Sequence, residues 1–296
     1  MTQIKNELRR QIKDVRWMIF WVVLAQFAAE VAVEATFSFM ENPPHQYVRS
    51  GIVEMIAIGV PLMVYARYVW GNRSKNVKKE FGLIPCDLHR LMLAAGLGIC
   101  GQFVMILLNL PFNMLFEQPE GAVIPENPDA SWFVAGIVSV VLIPAVLEEF
   151  WMRGVVFCAY NKSNTVAAIF FTSLVFAFLH MRINEIVGFM FMGIMASVIM
   201  LKSNSLYAAM IYHGFNNLTA FLLGPVIMPF IEDSVWLVFS VASILFVGLL
   251  FLLLLQKNQV KKNKVFDSGK LIITSVCSVP IILSVIVALI KRFGMS

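Results

Sequence analysis

Apolar residues fill this chain in long runs, interrupted at near-regular intervals by short clusters of charge, glycine and proline. The runs predict helices at about 17–40, 48–70, from the end of the 71–90 segment to about 116, and at 131–160, 165–180, 183–200, 206–223, 235–255 and 271–290. Most are close to the roughly 20 residues that cross a hydrocarbon core as a helix, and no period-two alternation points to a barrel. The run at 165–180 is shorter, so that helix is expected to be tilted, re-entrant or buried in the bundle. Pro43 and Pro44 mark a stop after the first run, and Pro144 predicts a bend in the fourth, because proline removes an intrahelical hydrogen bond and crowds the preceding turn. The expected fold is all-α, a polytopic transmembrane helical bundle of eight or nine spans. It divides into an N-terminal region at 1–130 with three spans, a central region at 131–223 with four, and C-terminal spans at 224–296.

The interruptions carry a sign pattern. Lys5, Arg9, Arg10, Lys13 and Arg16 precede the first run, while Arg73, Lys75, Lys78, Lys79 and Arg90 follow the second. Lys257, Lys261, Lys262, Lys264 and Lys270 lie before the last. The loop at 117–130 instead holds Glu117, Glu120, Glu126 and Asp129 with no Lys or Arg. With a cytoplasmic N-terminus all three basic clusters fall inside and the acidic loop outside, as positive-inside asymmetry requires. Residues 1–16 are too polar for a signal peptide and lead into an apolar run too long for one.

Composition agrees. Of 296 residues 59% are hydrophobic and 14% charged, with mean hydropathy +0.79, outside the range of soluble domains. The expected surroundings are the lipid bilayer, with no nucleic-acid partner. Cys86, Cys100, Cys158 and Cys277 have no metal-ligand spacing and read as small core residues.

Charge inside the apolar runs is costly and therefore informative. The stretch P-A-V-L-E-E-F-W-M-R-G at 144–154 puts Glu148, Glu149 and Arg153 inside the fourth run. On a helix Glu149 and Arg153 are one turn apart and pair, while Glu148 points about 100° away with no local cation. Measured from the turn at 161–164, Glu148 lies 13 residues back and His180 16 forward, so both sit about 20–24 Å from it. His213 and Asn217 are stacked on one face of the seventh run. Four polar groups from three helices thus converge at one depth, with Phe176 a turn before His180.

Such a set supports activation of water. Glu148 takes the proton, one histidine holds the water or shuttles its proton, and the other histidine and Asn217 donate to the developing oxyanion. Alternatively Glu148, His180 and His213 hold a catalytic zinc with water in the open position, although H-E-x-x-H is absent. Glu30 and Glu34 in the first run and Glu54 in the second are further acids. Glu34 and Glu54 are expected near the outer interface, with Glu30 deeper.

E-E-F-W-M-R at 148–153, F-A-F-L-H at 176–180 and H-G-F-N-N at 213–217 resemble, in this order, the three motifs of the CAAX-protease and bacteriocin-processing (CPBP) family, which includes type II CAAX prenyl endopeptidases and the bacterial Abi proteins. The resemblance covers about 131–223. It implies a CAAX-protease-like catalytic core, with Glu148 as the catalytic glutamate and Glu149 and Arg153 as its structural companions. His180 is implied as the second water-activating residue, and His213 with Asn217 as the oxyanion pair. The family's mechanism has been described both with zinc and with protein groups alone. The implied function is intramembrane endopeptidase, in a bacterial plasma membrane, on a membrane-embedded or lipid-proximal peptide or protein rather than a farnesylated one. Two other classes fit the residues: a scaffold or immunity protein that binds a toxin or sensor kinase without cutting, and a proton-coupled transporter. The transporter expects two related halves, and the first four runs hold no counterpart of the E-E or H-x-x-x-N patterns.

Overall fold

A computed structural model of the chain describes residues 2–40, 44–72, 77–116, 128–227, 232–257 and 263–294. Pro43, Pro229, Arg73, Lys75, Lys261, Lys262, Glu117, Glu120 and Glu126 lie outside them. Each apolar run becomes helix. In chain order these are α1 (Thr2–Phe37), α2 (46–72), α3 (Leu88–Leu115), α4 (130–161), α5 (Thr165–Leu179), α6 (Ile186–Ser203), α7 (Leu206–Leu222), α8 (Val235–Leu255), α9 (Ser268–Val276) and α10 (Val279–Gly294). There is no named strand among the described residues. The fold is an all-α polytopic bundle, and the chain is a multi-pass membrane protein.

Among the described residues six helices are long and apolar enough to cross a membrane, or seven if α9 and α10, bent by 50°, form one broken span. α5 is the short apolar helix anticipated from its length, and α7 has 17 residues. Both bury one side inside the bundle, with Phe171, Ala167 and Ala168 of α5 and Leu206, Ala208 and Tyr212 of α7 fully enclosed. Helices flanked by protein need not match the bilayer on their own.

The basic stretch before the first run is not a separate arm. α1 is helical from Thr2, and Leu8, Ile12 and Val15 are buried at helical spacing beneath the charged residues, an amphipathic stripe. Arg16 reaches across to donate to Tyr160 Oη at 3.0 Å and Ser275 Oγ at 2.8 Å, tying α1 to the ends of α4 and α9.

Caps and close crossings set the central helices. Asp129 caps α4 by accepting from Trp132 N at 2.8 Å; that N–H and the Ser131 hydroxyl hold its carboxyl below the usual carboxylate range. Asn164 caps α5 by accepting from Ala167 N at 2.9 Å. The turn between α4 and α5 is tied to 263–266 by Val265 N to Ser163 O at 2.7 Å and Asn164 Nδ2 to Phe266 O at 2.7 Å. α7 packs most extensively on α3, and the approach is possible because position 98 is glycine. A Cβ there would overlap the Tyr212 carbonyl oxygen and stand 3.1 Å from Asn216 N. Gly98→Ala is therefore expected to lower stability by about 1–3 kcal/mol and to displace the helix that carries His213. Thermal unfolding in detergent checks this, with Gly248→Ala, where a Cβ meets nothing within 4 Å, as the neutral control.

Candidate active site

The site is organised by α4, whose helix widens into π-helical turns at Ile137–Leu142 and Phe150–Phe157 on either side of the two glutamates. Such widened turns change which residues share a face and occur frequently at functional sites. The helix continues through Pro144, which follows directly on the first widened stretch.

Glu149 and Arg153 lie in the protein interior with side chains 0% exposed. Arg153 Nη1 donates to Glu149 Oε1 at 2.8 Å and Nη2 donates to Gly193 O at 3.1 Å. Its guanidinium also sits 4.8 Å from the centroid of Phe176, a cation–π contact. Gly193 offers its carbonyl because α6 crosses α5 closely there: a Cβ at 193 would stand 2.8 Å from Ser173 Cα.

Glu149 Oε1 has a second partner. His213 Nδ1 lies 2.9 Å from it. A carboxylate can only accept, so Nδ1 carries a proton and the neutral ring presents Nε2 as an acceptor. That Nε2 is 3.9 Å from Glu148 Oε2. His180 is fixed in the same manner, its Nδ1 donating to Phe176 O at 2.8 Å, with its ring stacked on Phe189 at 3.8 Å between centroids. The chain turns sharply just after it, because Met181 adopts a φ of 52°, a region disfavoured for residues with a Cβ. Asn217 donates one N–H to Val140 O at 3.0 Å, and its amide nitrogen has a second hydrogen.

Glu148, His180, His213 and Asn217 line one cavity of about 790 Å³. Glu148 is the acid without a guanidinium: it is 18% exposed in the side chain, and its Oε2 is buried with no hydrogen-bond partner among the described residues. Phe176 also lines the cavity and is 2% exposed, so it both walls the chamber and covers Arg153. Glu149 and Arg153 stand behind this wall.

The cavity is larger than α4, α5 and α7 alone enclose. α6 adds Phe189 and Met192, α1 adds Val22, Gln26, Glu30 and Glu34, and α2 adds Gln46, Arg49, Ser50 and Glu54. Glu54 therefore faces the same chamber as Glu148, not the outer interface expected of it. The spacing holds the signal: Gln46, Ser50 and Glu54 recur every four residues in an apolar helix, as do Gln26, Glu30 and Glu34 on α1, and polar stripes in spans face the protein interior.

Among the described residues no group of three or more His, Cys, Asp or Glu is arranged to hold a metal ion. The Nδ1 contacts of His180 and His213 leave Nε2 of each ring free.

The fold and site define a class, a multi-pass helical membrane protein with a carboxylate and two oriented histidines around an internal chamber. Residues 130–219, the segment carrying all six motif residues, match the family model for Type II CAAX prenyl endopeptidase Rce1-like. The family read from the three motifs is thereby shown for this segment, which supports a CAAX-type membrane protease at the level of the family. No curated protein and no solved structure matches the chain.

Proposed function

We propose that this protein is an intramembrane endopeptidase that hydrolyses a peptide bond in a membrane-associated peptide or protein, with Glu148 as general base. The observation that carries the reading is the shared chamber: a carboxylate with no guanidinium partner, facing two imidazoles and a primary amide inside a membrane bundle.

Glu148 removes a proton from water as the water oxygen bonds to the scissile carbonyl carbon, and the carbonyl electron pair moves onto oxygen. His180, with Nδ1 held by Phe176 O, presents Nε2 to accept the other hydrogen of the water and so orients it. Asn217 donates its second N–H to the oxyanion. His213, its Nδ1 donating to Glu149 Oε1, can donate there from Nε2 only when that nitrogen also carries a proton. When the intermediate collapses, the C–N bond breaks and the proton held by Glu148 goes to the leaving amine. Arg153 keeps Glu149 in place and takes no part in proton transfer. With the N-terminus cytoplasmic, the end of the chamber marked by Glu34 and Arg49 opens on the outer side.

The test uses purified protein in liposomes with fluorescence-quenched apolar peptides. Asn217→Ala is expected to lower turnover by about 10²–10³-fold and leave a measurable remainder, the usual cost of one oxyanion donor. Turnover unchanged in folded Asn217→Ala protein would remove Asn217 from the machinery.

A further inference from the structure

The chamber extends beyond the six motif residues, and the extension is built by α1 and α2, both outside residues 130–219. Val22, Gln26, Glu30 and Glu34 follow one another on α1 at steps of four, so this wall runs about 18 Å along the helix and grades from apolar to acidic. Glu34 is 66% exposed in the side chain and takes a bidentate contact from Arg49 at 2.9 and 3.2 Å. That pair marks the mouth. Arg182, also in the wall, pairs with Glu185 at 3.2 Å.

Glu54 sits between mouth and motif residues. α2 is pinned there by Gly51, one turn earlier on the same face, where a Cβ would stand 2.6 Å from Ser139 Oγ. This close crossing leaves no slack to swing Glu54 out of the chamber. Glu54 Oε1 is buried without a hydrogen-bond partner among the described residues, and Glu54 lines the same chamber as Glu148. The guanidinium groups of Arg49, Arg182 and Arg153 are engaged by Glu34, Glu185 and Glu149. Glu54 and Glu148 thus face one chamber without a guanidinium between them. A cation held between them pairs with both carboxylates at once, which a neutral donor cannot do.

We propose that Glu54 is a specificity residue that receives a cationic group of the substrate, a Lys or Arg side chain or a free amino terminus, close to the scissile bond held at Glu148. The inference rests on the endopeptidase reading for the position of the scissile bond, and its claim concerns binding.

The experiment measures binding of labelled apolar peptides to the full-length protein in nanodiscs, in a His180→Ala background that suppresses cutting and keeps both carboxylates. The peptides are identical except for Lys, Gln or Glu at one scanned position, each with a free or acetylated amino terminus. The Lys peptide at one position, or the free-amine peptide near one end, is expected to bind at least about tenfold more tightly than its neutral counterpart, the scale of a hydrogen bond to a charged group. The Glu peptide is expected to bind worst. Adding Glu54→Gln should bring the Lys-to-Gln ratio of dissociation constants to near one, while Glu54→Asp, which keeps the charge, should retain a preference. A ratio near one with Glu54 present, or a preference that survives Glu54→Gln, overturns the proposal. Should Glu54→Gln not elute as folded protein, equal binding of Lys and Glu peptides by the Glu54 form overturns it equally. If the preference holds but the wild-type protein cuts none of these peptides, the endopeptidase reading fails and the subsite stands.

Discussion

Glu148→Gln protein is expected to fold as the wild type does and to hydrolyse nothing measurable. The substitution preserves shape and removes the one capacity the mechanism needs, acceptance of a proton. The structural cost is small, because no guanidinium depends on Glu148 and its Oε2 has no hydrogen-bond partner among the described residues. Positioned proton transfer contributes about 10²–10⁴-fold, and this is the contribution that Glu148→Gln removes. The rate of peptide hydrolysis in liposomes and the unfolding temperature in detergent together read this. A rate within about tenfold of wild type in folded protein, less than the smallest contribution expected of a general base, would show that Glu148 is not the base.

Arg153→Ala is expected to act the other way, through the fold first. The arginine is fully enclosed, bonded to Glu149 and Gly193 O and packed on Phe176. Removing it leaves the Glu149 carboxylate buried with His213 as its remaining partner. Breaking a buried ion pair from one side costs about 3–5 kcal/mol, enough to unfold a marginal protein at growth temperature. Arg153→Lys should recover part of the loss, since an ammonium neutralises the charge but cannot span Glu149 and the Gly193 carbonyl with a planar fork. Replacing the pair together, Glu149→Gln with Arg153→Met, should cost less stability than Arg153→Ala alone. Unfolding of the four proteins in one detergent gives the order, and a double variant less stable than Arg153→Ala would contradict it.

The two variants show how differently two neighbouring glutamates can be used, and that difference was legible in the spacing. Glu149 and Arg153 are four apart and pair, while Glu148 falls on another face. That Glu148 and His180 share a level followed from counting residues on either side of the turn at 161–164, and His213 and Asn217 shared one helix face by their spacing. The carboxylate–histidine contact was not legible. Whether Glu149 reaches His213 depends on the rotation of α7 against α4, set by the crossing at Gly98 and the widened turns of α4, and no local pattern reports either. The acids of α1 and α2 were visible in the sequence, and among them Glu54 faces a place other than the one expected. Glu54 was assigned to the interface because depth was judged from its own helix, whereas its surroundings are fixed by Gly51 packing on Ser139. Span number is legible only approximately for a related reason: hydropathy counts apolar helices and does not separate those that face lipid from those, such as α5, that neighbouring helices enclose.

The central claim is that this chamber cuts a peptide bond. It is tested most directly by comparing membrane and released peptides from cells making the wild-type protein with those from cells making Glu148→Gln at equal abundance. The account predicts at least one peptide terminus present with the wild type, absent with Glu148→Gln, and regenerated when the purified wild-type protein is added to the uncut precursor. Identical peptide profiles, under conditions where the wild-type and Glu148→Gln proteins produce the same cellular effect, would contradict it and point to a protein that acts by binding alone.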